Sequence, residues 1–156
     1  MPNLLRKELG EFNSVACFKA VITGIEEALG EKATAIALIS AGRTRGKKLA
    51  VELHFTDSSL SLEDAASKLA LALGKEGTRL CILEKIIMEG DTIKVYTNET
   101  ICSTGEPENS NRQCTFTMGV VWGAIEQLIG KRLKGEQTES VLRGGTHDVF
   151  ELTHLR

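Results

Sequence analysis

The three histidines, His54, His147 and His154, are the first candidates for metal binding or acid–base chemistry. His147 and His154 differ in position by an odd number, so an unbroken strand would direct their side chains to opposite faces. A catalytic zinc site needs three converging ligands and one open position, and no cysteine or aspartate nearby completes such a set. We interpret the histidines as surface or capping residues, and predict no metal site and no catalytic residue.

The four cysteines include no C-x-x-C pair of the kind found in zinc sites and redox motifs. Cys102 and Cys114 flank a polar loop and would meet if the loop doubled back, which would allow a regulatory disulfide or a shared metal ion. We prefer free, partly buried thiols, because the first residues lack the apolar segment of a signal peptide and so indicate a cytoplasmic protein. Cys17 and Cys81 are predicted to be core cysteines.

A basic cluster lies between Gly42 and Lys48 and consists of Arg43, Arg45, Lys47 and Lys48. It lacks the spacing of a phosphate-binding loop and follows no predicted strand. We interpret it chiefly as a solvated helix face whose lysine stems cover apolar surface, and keep Arg43 and Arg45 as candidates for holding the anionic head group of a ligand. A net charge of -2 and an aromatic content of 4% argue against a nucleic-acid partner.

The order of the predicted helices and strands indicates an α+β fold, with an antiparallel sheet of about four strands covered by helices. The 156 residues are predicted to form one domain, with residues 1–13 as an N-terminal extension and without a membrane span of ~20 apolar residues. Ser14 and Ser61 are predicted helix N-caps, and residues 57–60 a turn. The predicted helices cover 15–29, 33–40, 61–74 and 116–130, a separate basic segment covers 42–53, and the predicted strands cover 79–88, 91–98, 136–142 and 147–155.

The helix from Phe116 to Gly130 is apolar on nearly every side and is therefore predicted to be buried. Its interior residues Gly119 and Gly123 each cost roughly 1 kcal/mol relative to alanine, and their spacing places them on one face. Another backbone is expected to pack closely against that face. We predict a homodimer with helices at its interface; the alternative is that the glycines serve packing within one chain.

Two segments carry a resemblance to a known family. Residues 28–46 (ALGEKATAIALISAGRTRG) resemble the opening of the 4-vinyl reductase, or hydrocarbon-binding, domain family, and residues 114–128 (CTFTMGVVWGAIEQL) resemble its later cysteine, glycine and helix segment. Extended to Leu142, the second segment is also similar to TRAPP vesicle-tethering subunits. The resemblance covers about Phe18 to Leu155. It implies a mixed α/β domain that dimerises through helices, with an apolar pocket for an acyl chain, a hydrocarbon or a porphyrin-like ligand.

The sequence departs from the family pattern in two places. The bacterial domains tend to end in a strand region with two cysteines, and residues 139–150 contain none. The acylated cysteine of some tethering subunits falls near Thr56, so we do not expect a thioester at that point.

The predicted function is a cytoplasmic module that binds an apolar, acyl-type or porphyrin-like small molecule. An apolar cavity is expected between the helix at 116–128 and the strand at 80–88. The alternatives are an adaptor homodimer with a vestigial pocket, and an accessory enzyme of tetrapyrrole metabolism, which would need a partner for its hydride because no nicotinamide motif is present. The sequence identifies no cofactor. The candidate ligand-binding residues are Phe116, Val120, Trp122, Ile82, Ile86, Arg43 and Arg45.

Overall fold

The computed structural model describes residues 5–57 and 59–155. The helices are α1 (Val15–Leu29), α2 (Glu31–Glu52), α3 (Leu62–Leu73) and α4 (Thr115–Ile129), and the strands are β1 (Ile82–Glu89), β2 (Thr92–Asn98), β3 (Leu133–Glu139) and β4 (Asp148–His154). Three helices precede the first hairpin, and α4 lies between the two hairpins. Within the described ranges, no helix has both the length and the apolar character needed to cross a bilayer.

The four strands form one antiparallel sheet in the order β1-β2-β4-β3. Each hairpin pairs consecutive strands, and the pairing of β2 with β4 joins the two hairpins. Alternate residues of the central strands, such as Ile93, Val95, Phe150 and Leu152, are fully buried in one core cluster with residues of α4. The α+β class and the antiparallel sheet covered by helices are thereby confirmed.

The helix N-caps formed as the sequence predicted. The Ser14 hydroxyl accepts a hydrogen bond from the Ala16 N–H at 3.1 Å, and the Ser61 hydroxyl accepts one from the Asp64 N–H at 3.0 Å. Each bond satisfies one of the backbone donors that a helix leaves free at its start. Gly30, with a φ of 85°, then separates α1 from α2.

The basic segment is not separate: residues 33–40 and 42–53 fall within the single helix α2, except for Leu53 at its C-cap. The sequence interpretation was wrong here because glycine interrupts the apolar pattern, whereas tertiary packing offsets the low helix propensity of glycine. Of the turn predicted at residues 57–60, Asp57 lies in a turn, residues 59 and 60 do not, and Ser58 lies outside the described residues. The third strand begins earlier than predicted, and the residues after it form a short 3₁₀ turn, Val141–Arg143.

The paired glycines of α4 pack against α2 of the same chain. A Cβ atom on Gly119 would lie 2.6 Å from the Ile39 carbonyl oxygen, and a Cβ on Gly123 would meet the Arg43 backbone even more closely. Gly42 and Gly46 face α4 in the same way. The glycine face therefore serves a close helix crossing within one chain, and it no longer supports a dimer interface.

Candidate ligand-binding site

An apolar cavity of about 660 Å³ lies between α1, α2, α4 and the segment that joins α3 to β1. Its volume is in the range of small-molecule sites. Phe18 of α1 and Phe116 of α4 are half-buried and lie with ring centroids 5.5 Å apart. The lining residues are Glu11, Phe12, Asn13, Ser14, Val15, Phe18, Arg45, Leu73, Thr78, Arg79, Leu80, Ile101, Phe116 and Val120.

The loose packing of α1 explains the cavity. Ile22 is the one side chain of α1 that is fully buried, while Val15 and Phe18 keep apolar surface that neither the protein core nor α2 covers. Apolar surface left in contact with water forgoes roughly 25 cal/mol per Å² of stabilisation. An apolar ligand in the cavity would recover part of this free energy.

Two arginines line the cavity, and their side chains are held by different contacts. Arg45 has a side chain that is 37% exposed, and its guanidinium reaches Glu52 at 3.4 Å. Arg79 has a φ of 58°, which residues other than glycine rarely adopt. Its Nε donates to the Lys75 carbonyl at 3.0 Å, and its guanidinium carbon lies 5.5 Å from the ring centroid of Phe12. The described lining thus contains two cationic residues, Arg45 and Arg79, and one acidic residue, Glu11.

Three of the seven residues predicted to bind a ligand line this cavity: Phe116, Val120 and Arg45. The other four lie elsewhere. Ile86 is buried in the core beneath the sheet, and Ile82 is half-exposed on β1. The cavity borders α4 as expected, but α1 and α2 form its other walls, and no residue of β1 lines it. Leu80 lies in the segment 80–88 that was expected to border the cavity, whereas Phe18 was missed because an apolar pattern does not distinguish a cavity wall from a filled core.

Trp122 and Arg43 belong to a structural cluster at the junction of α2, α4 and β3. The Trp122 Nε1–H donates to the Leu133 carbonyl at 3.0 Å, and the Arg43 guanidinium carbon lies 4.5 Å from the tryptophan ring centroid. Arg43 also donates to the buried carboxylate of Glu126 at 2.8 Å, and the second oxygen of Glu126 accepts the Leu133 N–H at 2.7 Å. Arg43 of the basic cluster therefore compensates the charge of the buried Glu126 carboxylate. Glu126 was not among the site residues predicted from the sequence.

Cys102 and Cys114 form a disulfide that spans a sequence separation of 12 residues. The interpretation of these cysteines as free thiols was wrong, because the loop between them doubles back and brings both into the core. Of the two remaining cysteines, Cys17 is exposed on α1, contrary to the prediction of a core position. Cys81 is buried as predicted, and burial together with the charge of Asp148 raises the pKa of its thiol to about 12.

Asp148 is a buried carboxylate beside the disulfide. One of its oxygens accepts hydrogen bonds from the Val141 N–H at 3.0 Å and the Gln137 amide at 3.3 Å, and the other accepts the Thr100 hydroxyl at 2.7 Å. The two sulfur atoms and the carboxylate lie within 4.8 Å of one another. Sulfur in a disulfide is not a thiolate, so this cluster offers no thiolate ligands to a metal ion while the bond is intact.

The disulfide loop, residues 102–114, makes charged contacts with α1. Lys19 donates to Glu106 at 2.6 Å and to the Cys102 carbonyl at 3.1 Å, and Arg112 forms a two-pronged contact with Glu26 at 2.8 and 3.1 Å. Burial favours the neutral form of Glu106, but hydrogen bonds from Lys19 and Ser110 and the charge of Arg112 outweigh it and lower the carboxyl pKa to about 2. A polar cleft of about 620 Å³ borders this network, whose charges are already paired.

No protein-family model matches the chain, and no curated protein matches it. Solved structures do match. The phenol-responsive sensory domain of the transcription activator PoxR, solved with phenol, is 13% identical with a TM-score of 0.72, and the match covers 92% of this chain and 76% of that one. A trafficking protein particle complex subunit 3 from Naegleria fowleri, covalently bound to palmitic acid, is 15% identical with a TM-score of 0.60, covering 91% and 93%.

A vinyl-4-reductase family protein from Methanocaldococcus jannaschii is 18% identical with a TM-score of 0.58, covering 96% of this chain and 86% of that one. At these identities the likeness shows the fold alone. The resemblance to vinyl-4-reductase and vesicle-tethering proteins is thereby confirmed at the level of the fold.

Proposed function

We propose that residues 1–156 act as one domain that binds a small apolar molecule carrying an acidic group. The observation that supports this most directly is the cavity of about 660 Å³ with Phe18, Phe116 and Val120 in its wall. Two of the structural neighbours were solved with phenol and with palmitic acid, and this chain has a cavity of a size suited to such ligands. Part of the N-terminal extension, residues 11–13, borders the cavity.

Arg45 and Arg79 are the proposed partners of the acidic group. Both arginines line a cavity whose wall is mostly apolar, and a guanidinium can donate charge-assisted hydrogen bonds to a carboxylate there. Glu52, which holds Arg45, is itself exposed, so a ligand carboxylate would replace a weak surface ion pair. Arg43, by contrast, is engaged with Glu126 and Trp122.

We further propose that the ligand binds reversibly. The palmitate of the Naegleria neighbour is covalently bound, which requires a nucleophilic side chain. The described lining of this cavity contains no cysteine, and its two hydroxyls are engaged with the backbone: Ser14 caps α1 and Thr78 donates to the Ala72 carbonyl. The thiol of Cys81 has a raised pKa and lies outside the lining, and a protonated thiol is a poor nucleophile. For the same reason we propose no reaction at this site.

A pair of valine substitutions on α1 tests the site. Val15 lines the cavity and is 37% exposed, whereas Val21 is 57% exposed and does not line it. Tryptophan at position 15 should fill the cavity and abolish the rise in melting temperature caused by palmitate or a shorter fatty acid, because only binding to the native state stabilises it. Val21→Trp adds the same side chain to the same helix and should keep that rise.

The acidic group is tested with matched ligands. Arg79→Gln should weaken binding of a fatty acid about tenfold or more, the size expected for one charge-assisted hydrogen bond, and leave binding of the corresponding fatty alcohol unchanged. Isothermal titration calorimetry measures both affinities. Equal loss for acid and alcohol would contradict the proposed role of Arg79, and absence of binding to the wild-type protein by acids, alcohols and phenol alike would contradict the function.

An adaptor homodimer is the second candidate, and exposed apolar residues on α1 and α2 favour it. Val21 and Leu29 of α1 and Ile36 of α2 are mostly exposed, and water-exposed apolar patches often mark protein interfaces. Light scattering should then give twice the mass of the chain, and Val21→Glu should give the single mass. Cys17 lies one helical turn from Val21, so oxidation of the dimer should join Cys17 of the two copies. We also propose a cytoplasmic location.

A further inference from the structure

The Cys102–Cys114 disulfide joins the two ends of the disulfide loop. Residues of that loop make the charged contacts that hold α1. Glu106 and Arg112 lie between the two cysteines and contact Lys19 and Glu26 of α1. The carbonyl of Cys102 itself accepts a hydrogen bond from Lys19 at 3.1 Å. The geometry of the loop, and therefore of these contacts, is constrained by the bond between its ends.

Helix α1 has little else to hold it in place. Ile22 is its one fully buried side chain, and its contact with α2 is sparse beside the close crossing of α2 and α4. A helix with few buried apolar side chains opens at a small fraction of the global unfolding free energy. Because Val15 and Phe18 of α1 form one wall of the cavity, movement of α1 would change access to the ligand site.

We propose that the Cys102–Cys114 disulfide is a thiol-sensitive switch that fixes α1 over the cavity and releases it on reduction. A dithiol reductant attacks one sulfur, forms a mixed disulfide, and leaves as its own disulfide. The Cys102–Cys114 bond takes up two electrons and two protons and becomes two thiols, and the reductant is oxidised by two electrons. In the proposed cytoplasmic location, disulfides are typically transient and redox-sensing.

Burial of the two sulfur atoms limits the rate of such a switch. Both cysteines are buried, so reduction requires the loop to open first and is expected to be slow without a denaturant. Cys114 Sγ lies 3.6 Å from an oxygen of the buried Asp148 side chain.

Hydrogen exchange measured by mass spectrometry on residues 1–156 tests the release of α1. Samples with and without dithiothreitol are compared after thiol titration has given two free thiols in the oxidised form and four in the reduced form. Amides of α1 should exchange about tenfold faster or more after reduction, which corresponds to an opening free energy lower by ~1.4 kcal/mol. Amides at the crossing of α2 and α4 should not change.

Two variants provide the controls. Cys17→Ser removes the exposed thiol outside the disulfide loop and should leave the response to dithiothreitol intact. The double variant Cys102→Ser, Cys114→Ser should exchange as reduced wild-type protein does, with or without dithiothreitol. If the double variant fails to fold, the wild-type comparison decides alone. Equal exchange of α1 in the oxidised and reduced wild-type protein, or four free thiols without any reductant, would overturn the proposal.

The effect on the cavity rests on the proposed function and is measured separately with 8-anilinonaphthalene-1-sulfonate, an apolar fluorescent anion. Only fluorescence abolished by Val15→Trp is counted as binding in the cavity. This probe should dissociate faster from the reduced protein. Faster exchange of α1 without any binding of the probe or of fatty acids would support the switch and contradict the ligand function, so the two proposals fail independently.

Discussion

Replacement of Gly119 by alanine tests how closely α2 and α4 approach each other. A Cβ on Gly119 would lie 2.6 Å from the Ile39 carbonyl oxygen and 3.0 Å from the Cα of Gly42, whereas ordinary contact begins at 3.4 Å. The two backbones would therefore have to separate by up to about 0.8 Å, since neither atom belongs to a flexible side chain. Overpacking of this kind costs ~1–3 kcal/mol, and alanine returns up to ~1 kcal/mol of helix propensity.

We therefore expect Gly119→Ala to lower the free energy of unfolding by about 1–2 kcal/mol. Urea denaturation followed by circular dichroism measures this quantity, with a lower midpoint and an unchanged slope. Gly24→Ala is the matched control, because Gly24 lies inside α1 and a Cβ there would meet nothing within 4 Å. It should raise the free energy of unfolding by up to ~1 kcal/mol.

The same pair of variants separates the two roles considered for the glycines. If Gly119 serves packing within the chain, Gly119→Ala lowers stability without changing the mass measured by light scattering. A stabilising effect equal to that of Gly24→Ala would refute the close crossing. Loss of a dimer with full retention of stability would instead return the glycine face to an intermolecular role.

Two further predictions concern the disulfide loop. The lowered pKa of Glu106, about 2 against an ordinary value of 4.5, stabilises the fold above the unfolded pKa, and this contribution is lost as pH falls from about 4.5 toward 2. Glu106→Gln should therefore make the loss of stability between about pH 5 and pH 2.5 shallower, as measured by urea denaturation. Reduction of Cys102–Cys114 should lower the free energy of unfolding by about 3 kcal/mol or less, as expected for a loop of this size, and Cys17→Ser should have no such effect.

Local sequence signals predicted most of the fold. Ser14 and Ser61 were identified as N-caps because their hydroxyls satisfy backbone donors within the next few residues. The strands predicted at 79–88 and 91–98 correspond to the first hairpin, whose two-residue turn at Gly90 and Asp91 also depends on neighbouring residues. The continuity of α2 was missed because it depends on contacts with α4, which no local pattern reveals.

The cavity and the disulfide depend on distant parts of the chain, and the sequence predicted them less well. Trp122 looked like a lining residue, but its N–H is satisfied by the Leu133 carbonyl, 11 residues further along the chain. Arg43 and Arg45 are two residues apart on one helix, and only the folded chain shows that one meets Glu126 and the other the cavity. Cys102 and Cys114 were recognised as able to meet, and the preference for free thiols rested on the expected compartment and not on geometry.

The close crossing of α2 and α4 also accounts for the cavity. Glycines at four positions bring these two helices together without intervening side chains, so their facing surfaces are satisfied by backbone contact. Helix α1 contacts α2 sparsely, and Phe18 of α1 reaches the first turn of α4 at the half-buried Phe116. The apolar surface that remains there is covered by α1, by a second molecule or by a ligand. The contacts that decide among them are the ion pairs from α1 to the disulfide loop, Lys19–Glu106 and Glu26–Arg112. The ligand site and the disulfide loop thus share one movable wall, which is why the exchange of α1 is the measurement that links them.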